Sequence, residues 1–215
     1  MLADFHVHSI YSDGELIPSE IFRRYSVRGY DAVAVTEHID FSNYEEIEKI
    51  KESTENFNGI ETFVGAEITH VPVNRIEEII GRAKDHGAEV IIVHGESPVE
   101  PVEAGTNSRA LELSDVDILA HPGFVTEEEA YKAKENDIYL EISARSGHCY
   151  CNGHVAKVSK ETGASVLVNS DAHGPRDLLD EEMEMKIARG AGFSENKAKE
   201  IVNENTERFM KRLKR

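Results

Sequence analysis

The stretch VIIVH, residues 90–94, places four consecutive β-branched residues directly before a histidine. An uninterrupted apolar run of this kind is typical of a parallel β-strand that is covered on both faces. A second run, VLV at residues 166–168, is followed within five residues by Asp171 and His173. The sequence therefore predicts buried parallel strands whose carboxyl ends carry polar side chains able to bind metal ions.

Outward from these two runs, apolar strands alternate with stretches of helical spacing, and the alternation occurs seven times. The predicted strands cover residues 2–8, 31–37, 61–68, 89–94, 117–121, 138–143 and 165–170. The predicted helices cover residues 18–29, 44–57, 72–87, 107–114, 126–136, 152–163 and 175–191, and a last helix covers residues 194–215. Because no linker or shift of composition interrupts the pattern, we expect residues 1–215 to form one α/β domain.

The composition excludes several classes of protein. The chain of 215 residues carries a formal net charge of −17, which disfavours general binding to nucleic acid. Its two cysteines, Cys149 and Cys151, are too close in sequence for an unstrained disulfide bond, which favours a reducing compartment. No apolar run approaches the ~18 residues of a membrane-spanning helix, and the first residues lack the pattern of a secretion signal. We therefore expect a cytoplasmic protein that has no membrane partner.

The ends of the strands favour a barrel over an open sheet. Parallel strands joined by helices form either a closed barrel or a doubly wound sheet. In this sequence each predicted strand delivers histidine or carboxylate side chains at its carboxyl end: His6 and His8, Glu37 and His38, Glu67, His94, His121, Glu141, and Asp171 with His173. A barrel brings all seven ends to one mouth, whereas an open sheet spreads them along a line.

These side chains predict a site for several metal ions. The spacing of two puts His6 and His8 on the same face of a strand, with Asp4 behind them, and Asp171 and His173 share that relation. Imidazole nitrogen and carboxylate oxygen without thiolate favour Zn, Mn or Fe over Ca or Mg. Glu67 lies midway among the histidines in sequence, and we expect its carboxylate to bridge two ions.

The order of these motifs resembles that of the polymerase-and-histidinol-phosphatase (PHP) family of metal-dependent phosphoesterases. That family has His-x-His near its start, an acid-His pair after strand two, Glu after strand three, single histidines after strands four and five, and Asp-x-His after strand seven. The resemblance covers nearly the whole chain and implies a distorted (β/α)₇ barrel, related to the TIM barrel. This sequence departs from the family pattern at Glu37, where the family more often has Asp.

The resemblance also implies a ligand set for three divalent ions. His6, His8, Glu67 and Asp171 would hold the first ion; Glu67, His94 and His121 the second; Asp13, His38 and His173 the third. Asp13 stands where family members have either His or Asp, and its Ser-Asp-Gly context is also typical of a turn. Among the ligands, we expect Glu67 and Asp171 to take part in catalysis.

The implied activity is hydrolysis of a small phosphomonoester, of the histidinol phosphate or nucleotide monophosphate type, through a hydroxide that bridges two ions. We expect Arg145 to contribute to catalysis and, with Arg176 and Arg109, to bind the substrate, because a guanidinium group matches phosphate geometry. His70 is a candidate acid for the leaving group. Solvent-exposed charge is the competing interpretation for Arg145 and Arg176, and a surface histidine is the competing interpretation for His70.

Several alternatives stay open. Within the same family, a 5′-3′ exonuclease or a cyclic-phosphate diesterase would use the same ligands, so nucleic acid is expected only as a substrate. Amidohydrolases also begin with His-x-His, but they usually add an eighth strand and a bridging Lys. A related barrel in archaeal ribonuclease P serves as an RNA-bound scaffold, a role that suits a basic chain with eroded ligand motifs.

A separate group of potential metal ligands follows the sixth predicted strand. It consists of His148, Cys149, Cys151 and His154, which fall on one loop or first helical turn. Their spacing lacks the second Cys-x-x-Cys half of a structural zinc site, so an additional metal ion there is the less favoured interpretation.

Overall fold

A computed structural model describes residues 1–54 and 57–214 of the chain. Within them, seven parallel strands form one sheet in sequence order: β1 (Ala3–Asp4), β2 (Ala32–Ile39), β3 (Glu61–Ile68), β4 (Val90–His94), β5 (Ile118–Ala120), β6 (Tyr139–Ser143) and β7 (Val166–Asn169). The edges meet where Val7 pairs with Ala172, and the His8 N–H donates to the Ala172 carbonyl at 2.9 Å. The predicted (β/α)₇ TIM-like barrel is therefore confirmed.

Helices connect successive strands or follow the last strand, and together they surround the barrel. They are α1 (Pro18–Val27), α2 (Glu46–Thr54), α3 (Ile76–Asp85), α4 (Thr106–Ala110), α5 (Glu127–Glu135), α6 (Asn152–Thr162), α7 (Glu181–Gly190), α8 (Glu195–Lys199) and α9 (Thr206–Leu213), with short 3₁₀ turns at Val73–Arg75 and His148–Cys151. The capping box of α5 forms between Thr126 and Glu129. No helix in the described ranges is long and apolar enough to cross a bilayer.

The first strand is shorter than predicted because side chains replace the strand-to-strand hydrogen bonds. After Asp4, the backbone N–H groups of the next three residues donate to Asn169 Oδ1, Asp4 Oδ1 and Thr36 Oγ1. Phe5 belongs to the apolar cluster inside the barrel, whereas Val7 belongs to the outer cluster. This change of direction lets His6 and His8 face the barrel axis together.

Apolar side chains fill the lower part of the barrel. Alternate strand residues contribute to this interior cluster, among them Ala34, Phe63 and Ile92. Helix α9 closes the cluster from below, because Phe209 is completely buried and packs edge-on against Phe5 with ring centroids 4.6 Å apart. The interior is therefore a packed core beneath a polar mouth, which is the arrangement that barrel enzymes use.

The last two predicted helices differ from the structure. The helix predicted to begin at residue 175 begins at Glu181, where Asp180 accepts a hydrogen bond from the Met183 N–H as its N-cap, so Pro175 lies in the preceding loop. The helix predicted over residues 194–215 is divided by a π-helical segment, Glu200–Asn205, and its end at residue 215 lies outside the described residues. The predicted 44–57 helix also extends into residues 55 and 56, which are outside them.

Candidate metal centre

The polar side chains at the mouth come from the carboxyl ends of most strands. They are His6, His8, His38, Glu67, His94, His121, Asp171 and His173, together with Asp13 from the loop before α1. Glu67 is completely buried, and His94, His121 and Asp171 are each no more than 2% exposed. Asp13 is the exposed member, with 55% of its side chain accessible. The structure thus brings all nine sequence-predicted metal ligands to one place.

The first group of ligand atoms lies between β1, β3 and β7. His6, His8 and Asp171 each offer one atom within 4.8 Å of the others, and His6, Glu67 and His121 form an overlapping set. His6 Nε2 and His8 Nε2 lie 3.2 and 3.4 Å from Glu67 Oε2, and His8 Nε2 lies 3.6 Å from Asp171 Oδ1. These residues could hold one ion.

The second group contains His94, His121 and His148, again with ligand atoms within 4.8 Å of one another. Glu67 Oε1 lies 3.3 Å from His121 Nε2, while its other oxygen faces the first group. The Glu67 carboxylate therefore stands between the two groups, where it could bridge two ions.

The third group contains His8, Asp13, His38 and His173. Asp13 Oδ1 lies 3.0 Å from His173 Nε2 and 3.6 Å from His38 Nε2. Glu37 supports the third group without belonging to it. Its carboxylate accepts hydrogen bonds from the Ser9 N–H and from the hydroxyl groups of Ser9 and Ser12. Its carboxylate thus orders the loop that carries Asp13.

Two observations indicate that these residues fit divalent ions. Metal–ligand bonds of about 2.0–2.2 Å at angles of about 90–110° separate two donor atoms by about 3.0–3.5 Å, close to most distances measured here. Within the part of the chain that the structure describes, buried side-chain atoms without a hydrogen-bond partner also collect at the mouth. They include Nε2 of His6, His8, His94, His121 and His173, and both oxygens of Glu67. Buried polar atoms are rarely left unpaired, and ions would satisfy them.

Burial and mutual contact set the charges of the ligands. Although burial opposes ionisation, the imidazoles of His6, His38 and His94 hold the pKa of Glu67 well below its usual range. Burial, aided by the neighbouring His38, lowers the pKa of His8 well below that of a free histidine. Against burial, neighbouring carboxylates raise the pKa of His6 and of His38. Because metal ions bind ionised carboxylates and neutral imidazoles, these two histidines would release their protons when ions bind.

A buried carboxylate orients His6. Glu141 Oε1 accepts a hydrogen bond from His6 Nδ1 at 2.7 Å and another from Asn169 Nδ2, and Glu141 Oε2 accepts the His121 N–H. This contact leaves His6 Nε2 free for an ion. Asp4, which precedes the two histidines in the sequence, accepts a hydrogen bond from the backbone N–H of His6 and not from its imidazole.

The backbone is strained at the same place. His70, His121 and Asp171 have positive φ angles of 52°, 26° and 53°, a conformation that residues other than glycine seldom adopt. Such strain collects at functional sites, where the surrounding structure holds it in place.

Sequence reasoning missed two residues at the second group. The sequence groups His148 with Cys149, Cys151 and His154, but the 3₁₀ turn after β6 directs its imidazole inward, where Nδ1 lies 2.8 Å from Asp171 Oδ2. The other members point elsewhere: His154 Nε2 contacts the Val125 carbonyl, and Cys151 is buried. Glu100 reaches the site from the loop between β4 and α4, and the neighbouring imidazoles of His94 and His148, with burial opposing, hold its pKa well below the usual range.

The predicted substrate-binding residues have different surroundings. Arg145 is half-buried, and its guanidinium group lies 3.4 Å from the Asp171 carbonyl. With the exposed Arg176 it lines a cavity of about 660 Å³ beside the site. His70 is at the mouth, 3.3 Å from Glu100 Oε2. Arg109, by contrast, pairs with Glu77 and Glu112 on the helical layer, so its charge is directed to those carboxylates.

The comparisons with known proteins agree with this geometry. The model of the PHP domain matches residues 4–212, so the chain belongs to the PHP family. An uncharacterized protein of Methanocaldococcus jannaschii is 45% identical over 99% of this chain and 100% of its own length. A protein of Thermoanaerobacter named as a "Probable phosphatase" is 31% identical over 46% of each chain.

A solved structure shows the same fold. A chain in the structure of archaeal ribonuclease P with mature tRNA superimposes with a TM-score of 0.72, covering 98% of this chain and 90% of its own length. The two sequences share 16% identity. At that identity the likeness concerns the fold of the barrel.

Proposed function

We propose that this chain is a metal-dependent phosphoesterase that hydrolyses a small phosphomonoester, of the histidinol phosphate or nucleotide monophosphate type. The observation that carries the proposal is the set of three overlapping groups of ligand atoms at the barrel mouth. Membership in the PHP family and the similarity to a probable phosphatase support the same reaction class.

In this proposal, three divalent ions are held by the predicted ligands. The ions are Zn, Mn or Fe, because the donors are imidazole nitrogen and carboxylate oxygen. When bound, such ions lower the pKa of coordinated water and polarise phosphoryl oxygens. Glu67 and Asp171 supply the negative charge that holds the ions, and Glu141 keeps His6 in the orientation in which Nε2 is available.

The remaining groups act on the substrate. The Arg145 guanidinium donates hydrogen bonds to the phosphoryl oxygens, because it is half-buried at the mouth and lies beside Asp171. Arg176 provides a second positive charge in the same cavity. His70 donates a proton from Nε2 to the leaving oxygen, since this exposed imidazole borders both the site and solvent.

The cavity volumes suit a small substrate. The cavity beside Arg145 also has Leu178 and Met183 in its wall, and a second cavity of about 470 Å³ borders Asp13, His38 and His70. Volumes of this order hold metabolites and nucleotides. We assign the leaving group of the ester to the cavity that His70 borders, because His70 is the proposed acid for the leaving oxygen, and we assign the phosphoryl group to Arg145.

The test is an assay of the purified chain with Mn or Zn against p-nitrophenyl phosphate, histidinol phosphate and nucleotide monophosphates. We expect phosphate release that a chelator stops and added metal restores. Arg145→Ala should lower kcat/KM about tenfold or more, and Arg109→Ala should change it little. Labelled oligonucleotides and cyclic phosphates distinguish a diesterase. Absence of chelator-sensitive phosphate release from all monoesters would refute the proposal.

A further inference from the structure

The loop between β4 and α4, residues 95–105, carries a carboxylate into the second group of ligand atoms. Glu100 is half-buried, while its neighbours Val99 and Pro101 are exposed. Its carboxylate is surrounded by imidazoles from three separate strand ends. Oε2 lies 3.1 Å from His94 Nε2 and 3.3 Å from His70 Nε2, and Oε1 lies 3.1 Å from His148 Nε2.

These distances between nitrogen and oxygen atoms are similar to those within the other groups. The two contacts of 3.1 Å fall within the donor separation of about 3.0–3.5 Å that a shared ion produces. His94 Nε2 has no hydrogen-bond partner of good geometry among the described residues, although the Glu100 carboxylate is so close. The 3.1 Å separation of His94 Nε2 and Glu100 Oε2 is therefore better explained by two ligands directed at one shared ion than by a hydrogen bond between them.

His148 is oriented for the same role. Its Nδ1 lies 2.8 Å from Asp171 Oδ2, which leaves Nε2 directed toward Glu100. An imidazole whose other nitrogen is held by a carboxylate is the usual form of a metal-binding histidine. The ring is buried, and it lies 3.9 Å from that of His121 between centroids.

We propose that Glu100 and His148 are additional ligands of the second ion, so that residues 95–105 close over the ion when it binds. This inference rests on the proposed metal-dependent function. A cavity of about 160 Å³ lies beneath the loop, between Pro101 and Val102 on one side and His94 on the other. Part of the loop therefore borders open space rather than tightly packed side chains.

The test compares metal binding by the full chain and its variants. Protein freed of metal is titrated with Zn²⁺ in competition with a chromophoric chelator, and the bound metal is counted by mass spectrometry. Glu100→Gln and His148→Gln should each lower the affinity for one of the bound ions by at least about tenfold. Glu103→Gln, on the same loop, and His154→Gln, on the next helix, are the matched controls and should bind as the unaltered chain does.

Hydrogen exchange gives a second measurement that does not depend on activity. Zn²⁺ should slow amide exchange across residues 95–105 in the unaltered chain and not in the Glu100→Gln variant. If that variant binds every ion with unaltered affinity and shows the same protection, Glu100 is only a surface ion-pair partner and the inference is wrong, while the proposed function stands. If the unaltered chain binds no ion, the proposed function itself fails.

Discussion

Replacing Glu141 with Gln tests how far the metal site depends on its supporting hydrogen bonds. The Glu141 carboxylate accepts from three donors: His6 Nδ1 at 2.7 Å, Asn169 Nδ2 at 2.9 Å and the His121 N–H at 3.1 Å. A glutamine has a single oxygen, so its NH₂ group must face at least one of these donors. Leaving a buried hydrogen-bond donor without its acceptor lowers the stability of the folded chain by about 1–3 kcal/mol.

The loss should appear in metal affinity. If the NH₂ group of Gln faces His6, the imidazole can satisfy it only by accepting at Nδ1, which moves the ring proton to Nε2. Because Nε2 is the atom available to an ion, we expect the Glu141→Gln variant to bind one ion at least about tenfold more weakly, equivalent to about 1.4 kcal/mol.

The assay is the same competition titration with Zn²⁺, combined with ¹⁵N NMR of the histidine side chains to identify the tautomer of His6. Glu184→Gln is the matched control, because Glu184 is another buried carboxylate, bonded to Tyr30 away from the site. Unaltered affinity in Glu141→Gln, with the His6 proton still on Nδ1, would refute the reasoning.

Three further predictions concern stability. Burial raises the pKa of Glu184 well above its usual range, so the folded chain keeps a proton that the unfolded chain loses, and stability falls as the pH rises above about 4.5. The difference in the free energy of unfolding between the Glu184→Gln variant and the unaltered chain should therefore shift in favour of the variant from pH 5 to pH 8, as measured by urea titrations. The same difference at pH 5 and at pH 8 would contradict this prediction. Phe209→Ala should lower the free energy of unfolding by about 3–5 kcal/mol, because the ring is completely buried against Phe5; a loss under 1 kcal/mol would mean that α9 does not support the interior. Thr126→Ala removes the cap of α5 and should cost about 1 kcal/mol, measured by the same titrations, whereas an unchanged midpoint would show that the capping box contributes nothing.

The strands could be predicted because most of them are nearly continuous apolar runs between polar segments. Their boundaries depend on contacts that the sequence does not display. The regular part of β1 ends at Asp4 because Asn169 and Thr36, which are distant in sequence, take the N–H groups that would continue the ladder. The start of α7 at Glu181 likewise depends on its N-cap Asp180, whereas Pro175, six residues before that start, is a misleading signal.

The candidate site was predictable to the extent that strand periodicity controls it. Residues at strand ends converge in any closed barrel, so the grouping of His94 with His121 follows from their positions. Glu100 and His148 lie in loops, where the spacing of residues does not determine direction. The one available signal was that Glu100 and His148 follow strands whose ends already carry candidate ligands.

The closure of the barrel between β1 and β7 links two segments that lie far apart in the sequence. The contact between Phe5 and Asn169 spans 164 positions, and bringing such remote segments together costs on the order of 4–5 kcal/mol of chain entropy. His8 and Asp171 approach each other only when this seam is shut. Cations that bind across this seam would stabilise the closed barrel, because their binding free energy adds to the stability of the folded form. The concentration of free metal and the stability of the closed barrel are therefore thermodynamically coupled.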